Sequence, residues 1–63
     1  MNTLVDLRNV VDLHPGDTIL HHGTRRTIHL IIRQHRDNGF RRLLFEDGTS
    51  LFLAMYARCE VVS

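Results

Sequence analysis

Apolar and polar residues alternate through the middle of the chain. Residues 27–46, TIHLIIRQHRDNGFRRLLFE, hold two apolar runs on either side of Asp37-Asn38-Gly39. Asn-Gly between such runs is a strong hairpin signal, because a type I′ turn needs positive φ at both central residues. The pattern predicts a strand over 27–34, a tight turn, and an antiparallel return strand running through Phe45.

The flanking segments extend this pattern. His14-Pro15-Gly16-Asp17 fits a type II turn, with Pro second and Gly third at the position that needs positive φ. A strand over 18–22 follows, then a turn at Gly23-Thr24-Arg25-Arg26. With Thr24-Arg25 as its loop, position 22 faces 27 and position 19 faces 30. That register places Ile19, Ile28, Leu30 and Ile32 on one face, as a buried side requires. Across the next turn 32 faces 45 and 34 faces 43, so Leu43 and Phe45 join the same interior. Leu20, Ile31 and Leu44 then point outward among His22, His29, Arg33 and Arg42.

Downstream, Glu46-Asp47-Gly48-Thr49 predicts a third hairpin turn. A strand over 50–53, one 3₁₀ turn at Ala54-Met55-Tyr56-Ala57 and a last short strand over 59–62 complete the chain. Residues 1–14 read two ways. Thr3 with Asp6 resembles a capping box, and Leu4, Leu7 and Val11 share a helical face. Val5, Val10 and Val11 are β-branched and favour a strand. Either a strand or a single helical turn is expected to lie across one end of the sheet.

Size narrows the architecture. The 63 residues make one domain, residues 17–62 forming a small barrel and 1–14 its cover. So short a chain buries only about 60% of its unfolded surface. With four aromatic residues, the core falls to Val, Ile and Leu. A thin core of this kind often relies on a second subunit. The single cysteine, Cys59, excludes an internal disulfide. No apolar run reaches the roughly 20 residues of a membrane helix, and the first residues lack a signal-peptide pattern. A cytoplasmic protein is the expectation.

In order, these parts resemble the Src-homology-3-like small barrels, in the broad sense that includes Tudor and KOW modules. The residues carrying the likeness are Leu13-His14-Pro15-Gly16-Asp17, Ile28-His29-Leu30-Ile31-Ile32, Phe45-Glu46-Asp47-Gly48-Thr49 and Val61-Val62. It spans about residues 13–62 and implies an all-β, five-stranded, partly open barrel of antiparallel hairpins. Such barrels serve as nucleic-acid binders, peptide readers and assembly parts. The clustered aromatics of a Tudor cage are not evident here, and the chain has no Trp for a proline-peptide groove.

Charge supplies the first candidate chemistry. The net charge is +1, yet residues 21–42 hold Arg25, Arg26, Arg33, Arg36, Arg41 and Arg42 against Asp37 alone. Arginine forks suit phosphate oxygens, and a β-ribbon can enter a nucleic-acid groove. Arg25, Arg26, Arg33, Arg36, Asn38, Arg41 and Arg42 are therefore the expected nucleic-acid contacts. The ordinary alternative is a solvated arginine surface paired with Asp37, Glu46 and Asp47. A non-catalytic accessory or regulatory protein that binds DNA or RNA is the first expectation, in the manner of a phage or mobile-element product.

The second expectation is a protein-interaction module or homo-oligomeric adaptor. It uses the outward strip Leu20, Ile31 and Leu44, because a continuous apolar surface normally marks an interface. Five histidines offer one diagonal pair in this register, His22 and His29, which is at most half a zinc site. No metal or cofactor is expected. Cys59 lacks a nucleophile motif, and no spaced carboxylate pair or phosphate loop is present. The sequence thus points away from an enzyme and from a small-molecule substrate.

Overall fold

The computed structural model describes residues 5–34 and 37–62. It is all-β, with strands β1 (Val5–Asn9), β2 (Thr18–His21), β3 (Thr24–Gln34), β4 (Asp37–Phe45), β5 (Ser50–Ala54) and β6 (Arg58–Val62). One 3₁₀ turn, Val10–Asp12, follows β1. All pairings are antiparallel, in the order β1-β6-β2-β3-β4-β5. The sheet is not closed: β1 and β5 form its two edges. Six strands replace the expected five, because the first segment contributes β1 as well as a helical turn. Thr3 of the expected capping box lies outside the described residues. Among those described, no helix is long and apolar enough to cross a membrane.

The 11-residue strand β3 organises the molecule. Its first part pairs with β2 and its second part with β4, so it belongs to both halves of the sheet. Ile28 sits at the junction. Its N–H donates to Asp17 O and its carbonyl accepts from Gly16 N, both at 2.8 Å. Opposite Ile28 lies Phe45. Val10, Leu13, Ile19, Ile28, Leu43, Phe45 and Val61 fill the interior, with Ile31, Leu51, Leu53, Ala57 and Cys59 packed against them. The 3₁₀ turn closes one end. Val10 N donates to Ala57 O and Val11 N to Met55 O, each at 2.9 Å, which drops Val10 into the core.

Turn chemistry is met at two of the expected places. In the Pro-Gly turn Asp17 N donates to His14 O at 3.1 Å, and Gly16 has φ 97°. In the Asp-Gly hairpin Gly48 N donates to Phe45 O at 3.0 Å, and Gly48 has φ 88°. A glycine just past the central pair is the arrangement of a type I turn with a bulge. At residues 54–57 a single hydrogen-bonded turn forms, Ala57 N to Ala54 O at 3.0 Å, and the 3₁₀ turn lies at Val10–Asp12 instead.

Three registers differ from expectation. The β2–β3 loop is His22-Gly23, not Thr24-Arg25: their φ values of 50° and 76° are both positive, and Thr18 pairs with Thr27. The slip is an even number of residues, so Ile19 and Ile28 still share the interior. The second difference reverses side chains. A bulge between Ile28 and Leu30 puts Ile31 opposite Leu43 rather than Ile32 opposite Phe45. One extra residue turns every later side chain to the other face. Leu30 and Ile32 therefore face solvent, and Ile31 packs on the core.

The third difference concerns Asn38-Gly39. Gln34 pairs with Asp37 and Arg33 with Arg41, so residues 38–40 form an irregularity within β4 rather than the hairpin tip. The connecting residues, His35 and Arg36, lie outside those described.

Candidate functional site

The bulge gives the outer face of β3, β4 and β5 its character. Directly opposed residues share a face, and alternate residues repeat it. Leu30, Leu44 and Ser50 form one row; Ile32, Arg42 and Phe52 form the next; Phe40 and Ala54 form a third. Leu30 is 47% exposed, Phe52 45% and Ile32 36%. Leu44 and Phe40 are half-buried beside them. The Phe40 and Phe52 rings stack with centroids 5.1 Å apart and planes 16° apart. The Arg42 guanidinium lies over Phe52, 5.3 Å from the ring centroid. Such a contact contributes about 0.5–1 kcal/mol at an exposed site. It also holds the one charge of these rows over an aromatic ring.

The expected strip of Leu20, Ile31 and Leu44 is corrected accordingly. Ile31 faces the interior, because the bulge moves it there. Leu44 is outward but half-buried opposite Leu30, and Leu20 is half-buried on the β2 half of the sheet, opposite Arg25. Leu30, Ile32, Phe40 and Phe52 take the place that sequence reasoning gave to Ile31. Phe52 was within reach of the alternation in Ser50-Leu51-Phe52-Leu53, where Leu51 and Leu53 turn inward. Leu30 and Ile32 were not, since no residue type announces the bulge.

The expected arginine ribbon does not form one stripe. Arg33 and Arg41 are directly opposed on β3 and β4, on the face opposite to Arg42. Arg41 is 9% exposed and donates from Nη1 to Phe40 O at 2.8 Å. Arg42 is on the outer face with the apolar rows. Arg26 is half-buried, its Nε 4.0 Å from Asp47 Oδ2 and its guanidinium 5.8 Å from the Phe45 centroid. Arg25 is exposed near the other end of β3. Arg36 and the side chain of Asn38 lie outside the described residues.

Titrating groups elsewhere have plain structural settings. His22 occupies the β2–β3 turn and His29 the bulge, so the diagonal pairing expected of them is absent; His21 and His22 meet instead, ring centroids 4.0 Å apart. Desolvation, then the charges of His22 and Arg26, lower the His21 pKa. Hydrogen bonds from the Thr49 hydroxyl and N–H lower that of Asp47. Burial raises that of the Cys59 thiol, away from the thiolate form that attacks or binds metal.

With this geometry in hand, comparison with known proteins adds nothing: the chain matches no family model, no curated protein and no solved structure.

Proposed function

We propose that the protein is a small non-catalytic interaction module that docks onto a protein partner through the outer face of β3, β4 and β5. The observation behind this reading is the run of Leu30, Ile32, Leu44, Phe40 and Phe52 over three adjacent strands, broken by one arginine that lies over Phe52. Contiguous exposed apolar surface of this kind marks interaction sites, and aromatic residues with arginine are the types enriched in them. The strand order β6-β2-β3-β4-β5, with a short turn before the last strand, supports kinship with the Src-homology-3-like barrels, many of which act by docking.

A second reading, contact with DNA or RNA, is favoured by the opposed pair Arg33 and Arg41. Arg33 is exposed, and Arg41 lies directly across from it on the neighbouring strand. Arginines divided between two faces make a weaker phosphate track than one stripe, because affinity follows the number of phosphates neutralised together.

One pair of variants separates the readings. Leu30→Asp with Ile32→Asp is expected to abolish capture of the partner by the immobilised protein, while Arg33→Ala with Arg41→Ala keeps it. A gel shift with duplex and single-stranded probes at low salt is expected to stay blank. Capture that survives the aspartates, or a salt-sensitive shift lost with the arginines, contradicts the docking reading.

A further inference from the structure

The two edges of the sheet are built differently. Edge strand β1 carries Asp6 and Arg8, the charged side chains by which natural sheets discourage pairing with another chain. The other edge, β5, carries none: Ser50-Leu51-Phe52-Leu53-Ala54 has no charge and no proline, and charge is absent onward through Ala57. Nothing among the described residues pairs with its outer side.

Hydrogen bonding fixes which backbone groups point out. Phe45 N donates to Thr49 O and Met55 N to Gly39 O. Bonded and non-bonded pairs alternate along an antiparallel ladder. Leu51 and Leu53 therefore exchange bonds with Leu43 and Arg41, while the N–H groups of Ser50, Phe52 and Ala54 aim at the open edge. The Ala54 carbonyl already accepts from Ala57 N. A row of such amides on an uncharged edge strand is a template for strand addition.

We infer that β5 pairs antiparallel with β5 of a second copy, about a two-fold axis at Phe52. The strand is suited to itself. In this register Phe52 meets Phe52 of the second copy and Ser50 meets Ala54, so no charge opposes a like charge. The Phe52 and Ala54 N–H groups reach the Phe52 and Ser50 carbonyls, and Ser50 N–H shares the Ala54 carbonyl with Ala57 N. Leu51 and Leu53, half-buried on the inner side, cover their counterparts across the axis. A two-fold contact closes after one addition, which keeps an unguarded edge from growing into a fibre. This pairing uses the backbone edge of β5 and shares only Phe52 with the docking run on the outer face.

Hydrogen exchange and sedimentation across a wide concentration range test it together. The chain is expected to sediment as a dimer, with the Phe52 and Ala54 amides protected only where dimer is present. Ala54→Pro removes one outward amide while leaving the β4 ladder intact, and is expected to give a folded monomer. Leu30→Asp with Ile32→Asp, two strands away, is expected to remain dimeric even though docking is lost. A chain monomeric at the highest concentration, a dimer with freely exchanging Phe52 and Ala54 amides, or a folded Ala54→Pro dimer overturns the inference. If Ala54→Pro does not fold, the exchange of the wild-type amides decides.

Discussion

Two adjacent residues, His22 and Gly23, carry the hairpin between β2 and β3. Both hold positive φ, which glycine adopts freely and histidine rarely does. A Cβ at Gly23 meets no atom within 4 Å, so any penalty there is one of backbone alone. Gly23→Ala is expected to lower unfolding stability by about 1–2 kcal/mol. His22→Asn, which restores the favoured Asn-Gly pair, is expected to raise it by up to about 1 kcal/mol. Chemical denaturation of the two variants checks both, and equal, small effects would place the loop elsewhere.

His21 sets a pH dependence at the same scale. Its folded pKa lies below the usual value of 6.5, chiefly through desolvation, with His22 and Arg26 adding like charge. A base whose folded pKa is lowered is harder to protonate in the native state, so the unfolded state binds more protons as pH falls. Stability is full above the unfolded value, declines as pH drops below it, and levels off beneath the folded value. Asp47, its pKa lowered by Thr49, loses its contribution only at lower pH, in the carboxylate range. Denaturant midpoints measured from neutral pH to about pH 5 are expected to fall, and less so in His21→Gln. An unchanged slope in that variant contradicts the assignment.

At the scale of elements, what the sequence discloses depends on how each device is encoded. The Pro-Gly and Asp-Gly turns were legible because their glycines must occupy positive φ, and Gly16 and Gly48 do. Ile19, Ile28, Leu43 and Phe45 were placed inside correctly even with the wrong β2–β3 loop, since an even slip preserves the face. The bulge at His29 was not legible. It depends on how β3 bends from one half of the sheet to the other, with Ile28 bonded to residues 16 and 17, and that is a tertiary constraint. Asn38-Gly39 misled for a related reason: the pair that suits a tight turn sits in an irregular stretch of β4. Of the outer face, the alternation therefore places Leu44 and Arg42 on the side where the structure has them, puts Ile31 on the wrong side, and leaves out Phe40 and Phe52.

For the molecule as a whole, a thin core makes each interior position expensive to lose and each exposed apolar residue in need of a reason. Total stability of a domain is about 5–15 kcal/mol, so a single core truncation removes a large part of it. The sheet leaves its apolar rows and its uncharged β5 edge side by side, while the opposite edge is charged and the far end is closed by Val10 and Leu13. Such asymmetry suits the proposed docking and pairing: one border is guarded by charge, and the other border and one face are open.

The exposed rows exist only if the bulge turns β3 over between Ile28 and Leu30, and paired truncations of neighbouring residues measure this directly. Ile31→Ala is expected to cost about 2 kcal/mol or more in urea unfolding, as for a side chain packed on the core. Ile32→Ala is expected to stay within about 0.5 kcal/mol, as for a surface position. The reverse order, with Ile32 costly and Ile31 nearly silent, would put Leu30 and Ile32 back inside and remove the docking face.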